Sequence, residues 1–270
     1  MASANFSVNE ATCVGCGLCL EACPGNMVGG DVLRLVDGRP VMVDQNKYGW
    51  QGCWRCQHCL AACPTGSISI FGLSAGQVSP KPDASIAEDL PKLVRFRRSC
   101  RAFKKDDVDE ALIDELLDDV SAVPTGGNNQ RLEFSVVTSR GAMRRVYDAV
   151  FSDPAQPGLF ETEADDLSAL RIYDAPHLFI AHKELGGRNQ NGDAVEVNLA
   201  TAYFELLANA RGLGTVISTY SAELLSQHPE ALELLGIPEN HSFMTVVGFG
   251  YPRIRYVRGI AKKRPVHKLS

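Results

Sequence analysis

No apolar run in this sequence approaches the roughly 18 residues that a membrane-spanning helix needs, and the opening MASANFSVNEATC has neither the basic start nor the apolar core of an export signal. A cytoplasmic protein with no membrane partner is the expectation. Excess positive charge is missing too. The 27 Lys and Arg stand against 32 Asp and Glu, a formal net charge of -5, which argues against nucleic acid as a partner and leaves the tail KKRP at 262–265 as a local anion site. No GxGxxG opens a βαβ unit, so no separate Rossmann site for a nicotinamide is expected. Cysteine is all but absent from the last two hundred residues: of nine, eight lie before residue 64 and only Cys100 beyond.

Those eight stand in two matching runs. CVGCGLCLEAC at 13–23 and CWRCQHCLAAC at 53–63 are each followed by proline. A disulfide scaffold is the bland alternative, but CxxC spacing in a chain without an export signal points to metal or redox sites. Structural zinc is the nearer rival; it needs four ligands per ion and gives no reason for a third cysteine, a fourth at x3 and a proline. The full CxxCxxCxxxCP pattern, over residues 10 to about 72, resembles bacterial two-cluster ferredoxins. By motif position the resemblance implies one [4Fe-4S] cluster on Cys13, Cys16, Cys19 and Cys63, and a second on Cys53, Cys56, Cys59 and Cys23. Gly15 and Gly17 suit the close backbone approach of a loop wrapped round a cube. Between the motifs, VLRLVDGRPVMV at 32–43 alternates around Asp37-Gly38 and predicts a hairpin. Trp54 and His58 are read as shielding and given no role.

Length alone favours two domains. Residues 72–91 hold three prolines, small residues and no sustained apolar period, the mark of a linker that is free to pack on another subunit. Beyond it the pattern turns α/β. A helix is expected over 106–123, with Asp107 as cap and Glu110 three residues on. Strands are expected at 134–138, 177–181 and 244–250. Residues 195–214, apolar around the whole circumference, predict a buried helix stopped by Gly212 and Gly214.

FRRSCRAFK at 96–104, PTGGNNQ at 124–130, NLATAYFELLANARGLGT at 198–215, GFGYP at 248–252 and KKRP at 262–265 together resemble, in order, the motifs of the nitroreductase family. The expected fold is α+β: a two-[4Fe-4S] ferredoxin-like domain at 1–75, a linker at 76–92, and at 93–270 a nitroreductase-like FMN domain whose mixed or antiparallel sheet is flanked by helices. The resemblance implies a homodimer with FMN at the subunit interface. A flavin phosphate is a dianion suited to guanidinium forks, which Arg97, Arg98, Ser99 and Arg101 supply, with Lys262, Lys263 or Arg264 from the tail. Asn128 and Gln130 match family positions at the edge of the isoalloxazine ring, and Ser218 and Thr219, in the turn ISTYS, match positions near flavin N5. The chain lacks the EGF-type triplet there and has Arg131-Leu132 where Pro-Trp is frequent, departures that leave the substrate open. Cys100 is read as a buried, inert thiol. No spacing selects a proton donor among His177, His182, Tyr203 and Tyr220.

The combined expectation is an oxidoreductase that takes electrons from reduced ferredoxin or a similar donor, or from NAD(P)H, and reduces a small electron-poor acceptor. Two alternatives stand beside it: a dehalogenating or fragmenting flavoenzyme, and an electron-transfer partner that relays to another protein.

Overall fold

The computed structural model describes residues 3–151, 170–184, 190–241, 243–261 and 264–269, without the side chains of 190–192 and 243. The chain divides into two compact units, Met1–Asp83 with Gly126–Gln130, and Ala84–Thr125 with Arg131–Ser270.

The first unit runs β1 (Ser7–Val8), α1 (Leu18–Glu21), α2 (Pro24–Met27), β2 (Leu33–Val36), β3 (Arg39–Met42), α3 (His58–Ala61) and β4 (Ile68–Ser69). β1 pairs antiparallel with β4, and β2 with β3. Asp37 and Gly38 have φ of 49° and 74°, the left-handed pair that a two-residue hairpin of this twist requires, so the expected hairpin forms. Leu33 and Met42, opposite each other across it, are buried, while Leu35 and Val41 are exposed. The core is small and partly built from Cys19, Cys23, Cys53 and Cys59, packed with Phe6, Leu60, Ile68 and Ile70. A unit this short buries little apolar surface of its own, which makes whatever the cysteines hold part of its stability.

The second unit runs α4 (Ile86–Phe96), α5 (Glu110–Val120), β5 (Glu133–Val137), α6 (Arg140–Phe151), β6 (His177–Lys183), α7 (Gln190–Ala210), β7 (Gly214–Ile217), α8 (Thr219–Ser226), α9 (Pro229–Leu234) and β8 (Phe243–Gly250). Among the described residues the strands form an antiparallel sheet in the order β5-β6-β8-β7. Successive side chains point to opposite faces. Leu178 and Ile180 therefore join α6, α8 and α9 in one core layer, and Phe179 and Ala181 join α5 and α7 in the other. Val197, Ala200, Phe204 and Ala208 of α7 are buried as expected, and Phe204 stacks on Phe179 at 4.0 Å. Lys183 at the end of β6 is fully buried against Asp193, 2.7 Å away, and Glu196, both on α7. No helix among the described residues is long and apolar enough to cross a membrane.

Four expectations need correction. The stretch read as linker, 72–91, is helical from Ile86: Ile86, Leu90 and Val94 recur at a four-residue spacing that Pro91, inside α4, disguises. The helix expected from Asp107 starts at Glu110. Asp109 caps it, its Oδ1 accepting the Ala111 N–H at 3.0 Å, whereas the Val108 N–H is donated to His177 Nε2 at 2.8 Å. Gly214 does not stop a helix; α7 ends at Ala210 and Gly214 opens β7, a strand the sequence did not announce. Ser218 and Thr219, read as a turn, begin α8, with Ser218 Oγ accepting the Ser221 N–H at 3.1 Å.

Candidate functional site

Two cavities in the first unit are each lined by four cysteines. Cys13, Cys16, Cys19 and Cys63 line one; Cys23, Cys53, Cys56 and Cys59 line the other. The fourth cysteine of each run thus sits with the first three of the other, and all nine thiols are free. One-turn helices do this. α1 and α3 follow the left-handed residues Gly17 and Gln57, which turn each loop back on itself. At Gly15 (φ 67°) a Cβ would lie 2.6 Å from the Gly38 carbonyl oxygen, so that position admits no side chain. Backbone N–H groups donate to sulfur: Arg55 to Cys53 Sγ at 3.4 Å, and Ser67 to Cys63 Sγ at 3.2 Å. Burial pushes the Cys59 thiol up to about 12, with Cys53, Cys56 and Cys23 adding to the rise. Burial likewise raises Cys19, with Cys16 and Cys63 adding. Four converging thiols are a donor set for a soft, positively charged centre, and an iron–sulfur cube fits them in ligand number and softness.

In the second unit the arginine loop follows α4 directly. Ser99 bridges Thr215 of β7, and the Cys100 N–H donates to the Thr215 carbonyl at 2.7 Å, which fixes the loop on the sheet edge. A cavity of about 580 Å³ opens there, lined by Arg95, Arg97, Arg98, Ser99 and Arg101. Arg95 was not expected; it lies two residues before Arg97, within the basic run RFRRS. Four guanidinium groups without a lining carboxylate fit a phosphate dianion. Arg97 Nη2 lies 3.1 Å from Glu205 Oε1, and its buried Nε has no hydrogen-bond partner among the described residues. Burial raises the Glu205 carboxyl, opposed by Arg97 and by the Thr215 hydroxyl. Arg98 lies over the Tyr256 ring at 4.2 Å, and Arg101 over Tyr173 at 5.5 Å. A neighbouring cavity of about 370 Å³ shares Arg98 and Tyr256 and reaches Cys100 and Gly214. Gly214 is obligatory by contact, since a Cβ there would lie 2.8 Å from Cys100 Sγ.

The remaining expected residues scatter. Asn128 belongs to the first unit, where its Nδ2 donates to the Trp54 carbonyl at 2.9 Å. Gln130, in the same segment, is left-handed with φ of 53°. Arg264 is exposed and not among the residues lining the arginine cavity; Lys262 and Lys263 lie outside the described residues. Cys100 is buried, donates to the Ala102 carbonyl at 3.3 Å and is raised by burial, as befits an inert thiol. His177 and His182 are buried; Tyr203 and Tyr220 are partly exposed. Trp54 packs on Trp50 at 5.3 Å between ring centroids, and His58 opens α3.

The model of the nitroreductase family matches residues 94–251, and that of a 4Fe-4S dicluster domain matches residues 12–67. Among curated proteins, the iodotyrosine deiodinase of Daphnia pulex is 22% identical over 200 residues, covering 68% of this chain and 65% of that protein. The iodotyrosine dehalogenase 1 homolog of Caenorhabditis elegans is 26% identical, covering 66% of this chain and 59% of that protein. The chain thus spans less than two thirds of either relative's own length. An NADH dehydrogenase of Thermus thermophilus is 26% identical, covering 58% of this chain and 83% of that protein. Among solved structures, a nitroreductase with bound FMN from Bacteroides fragilis superposes with a TM-score of 0.56 at 18% identity, over 67% of this chain and 99% of that one. Another, from Desulfitobacterium hafniense, gives 0.52 at 19% identity, over 67% and 97%. Likeness at this identity is one of fold.

Proposed function

The chain belongs to the nitroreductase family and carries a 4Fe-4S dicluster domain; we propose that it is an FMN-dependent oxidoreductase that draws electrons from a low-potential donor such as reduced ferredoxin and delivers them to a small electron-poor molecule, a nitroaromatic, a quinone or a relative of these. The observation that carries this is the crossing of the cysteines, Cys63 into the cavity of Cys13, Cys16 and Cys19, and Cys23 into that of Cys53, Cys56 and Cys59. When bound, iron–sulfur cubes supply single-electron exchange and FMN two-electron exchange, so one chain joins a one-electron donor to a two-electron acceptor.

In this reading each set of four thiols holds one cube, two in all, with the Arg55 and Ser67 amides lowering the charge on their sulfurs. Arg97, Arg98, Ser99 and Arg101, joined by Arg95, hold the flavin phosphate, and Lys262, Lys263 or Arg264 approach from the tail. Gln130, Ser218 and Thr219 are kept as further flavin contacts; the Asn128 nitrogen is already given to Trp54. A homodimer goes with this reading, because Ile86, Leu90 and Val94 are exposed along one face of α4, a stripe that a second copy would bury. The location is cytoplasmic.

A second reading is favoured by the two deiodinase relatives: reductive removal of halide from an aromatic ring at the same flavin. One anaerobic experiment addresses both. Flavin reduction by reduced ferredoxin and by NADPH is timed in the native chain and in Cys56→Ala, then nitroaromatic, quinone and halophenol acceptors are supplied. Fast reduction by ferredoxin that the substitution abolishes is the expected result. Equal reduction by NADPH in both proteins, with none by ferredoxin, sinks the inlet, and the acceptor that turns over decides between the two chemistries.

A further inference from the structure

Where β5 begins and β6 ends, four polar side chains meet that the proposed function leaves unused. Glu133 and His182 are direct cross-strand partners, so their side chains stand on one face of the sheet with Cβ atoms about 5 Å apart. Ser135, two residues along β5, shares that face. His241, in the segment before β8, turns its ring onto His182 so that the two Nδ1 atoms lie 2.8 Å apart. Ser135 Oγ lies 2.9 Å from His182 Nε2, and Glu133 Oε1 lies 3.9 Å from His241 Nε2. Both imidazoles are buried, whereas the Glu133 side chain is 55% exposed, so the carboxylate has room to swing. The group sits apart from the arginine cavity. Ser99 reaches the sheet at Thr215, which pairs with Phe249 beside His177, and His177 is five residues, about 17 Å, along β6 from His182.

Two ring nitrogens at hydrogen-bond distance leave space for one proton between two lone pairs. At zinc–nitrogen distances of 2.0–2.1 Å, two tetrahedral ligand nitrogens lie about 3.3 Å apart, so a divalent cation in place of that proton requires the nitrogens to part by about half an ångström and the rings to turn until both lone pairs meet at the ion. The second nitrogen of His182 faces the Ser135 hydroxyl; with Nδ1 on a cation, Nε2 carries the proton and donates it to that oxygen, the usual way a ligating histidine is oriented. A donor atom from each of Glu133, His182 and His241 lies within 4.8 Å of the others. Two imidazoles and a carboxylate suit zinc, cobalt or nickel over magnesium or calcium.

We propose that His182, His241 and Glu133 form a site for a single zinc-class divalent cation, held between the two Nδ1 atoms, with Ser135 orienting His182 and solvent completing the exposed side. The cation ties β5, β6 and the segment entering β8 at one point, and takes no part in electron transfer.

The test uses the full chain with its iron–sulfur and flavin content measured. The protein is equilibrated with zinc, bound zinc and retained iron are counted by mass spectrometry, and the zinc shell is read by X-ray absorption. Expected is a single zinc per chain without loss of iron, in a nitrogen–oxygen shell with imidazole scattering. Glu133→Gln, at an exposed position, should weaken zinc at least tenfold, and His241→Gln should abolish uptake. Zinc should raise the melting temperature of the native protein but not that of His241→Gln. A sulfur shell, uptake matched by iron loss, no uptake by the native protein, or equal uptake in all three proteins overturns the proposal.

Discussion

The Arg97 guanidinium and the Glu205 carboxylate face each other at 3.1 Å between the arginine loop and α7, with the carboxylate buried and the guanidinium about a third exposed. Removing the arginine therefore strands a carboxylate in the core. Burial already raises Glu205, and Arg97 is the main opposing influence. In Arg97→Ala the folded carboxyl titrates still higher than the unfolded one, so the folded state binds the extra proton. Stability should then fall as pH rises above the ordinary carboxylate range. Urea unfolding should find the variant about 1–3 kcal/mol less stable than native at neutral pH, and closer to native near pH 5. A deficit that does not change with pH would contradict the pairing.

Arg101 carries a guanidinium into the same cavity without a carboxylate partner among the described ion pairs. Arg101→Ala should weaken FMN by roughly 10- to 100-fold, the equivalent of one charge-assisted hydrogen bond of about 1.5–3 kcal/mol. Flavin fluorescence titration of the protein stripped of flavin measures it. Unchanged affinity would remove Arg101 from the phosphate site.

The crossing of the cysteines is testable by pairing substitutions. Cys16 and Cys63 line one cavity, and Cys23 lines the other. Cys16→Ala with Cys63→Ala should keep about half of the iron, because both changes strike one set of ligands. Cys16→Ala with Cys23→Ala should lose nearly all of it. Iron analysis of anaerobic preparations gives the answer, and the reverse ranking means that each run binds its own four.

His177 is held neutral: its Nε2 accepts the Val108 N–H at 2.8 Å. Burial lowers its pKa, against the pull of Asp107 and the backbone and with a small push from Arg140. Unfolded histidine protonates near pH 6.5, so the unfolded chain binds more protons below that point and stability is lost as pH falls from roughly 7 to 5. His177→Gln should flatten that limb in denaturant titrations. An unchanged slope would assign the acid sensitivity elsewhere.

Lys183 sits wholly buried between Asp193 and Glu196. Lys183→Met leaves two carboxylates facing each other in the core and should cost about 3–5 kcal/mol. Guanidinium unfolding measures it, and a loss under 1 kcal/mol would mean that α7 relaxes outward at little expense.

How much of this was legible depends on the sequence distance over which each feature is decided. The cysteine runs and the Asp37-Gly38 hairpin were readable because their geometry is settled within a dozen residues. α7 was readable because four turns of apolar side chains admit only a buried helix. β7 was not: four residues opened by glycine carry no period, and the strand exists because β8 and the arginine loop supply its bonds. The start of α5 was misplaced because His177, far along the chain, takes the Val108 N–H. Asn128 looked like part of the family's flavin motif, yet its bond is to Trp54, 74 residues away. Arg97 was found and Glu205 was not, since an acid set among the apolar residues of α7 gives no sign of its partner. The same blindness hid Glu133 and His241, which meet His182 only once the sheet has formed.

The two cysteine loops share one backbone path written with different residues. Gly15 and Gly17 hold φ of 67° and 78°; at the matching positions Arg55 and Gln57 hold 57° and 60°. Glycine adopts that shape freely, while each larger residue resists it by roughly 1–2 kcal/mol. The second loop therefore keeps its path against a local backbone cost that the first, with glycine at both positions, does not carry.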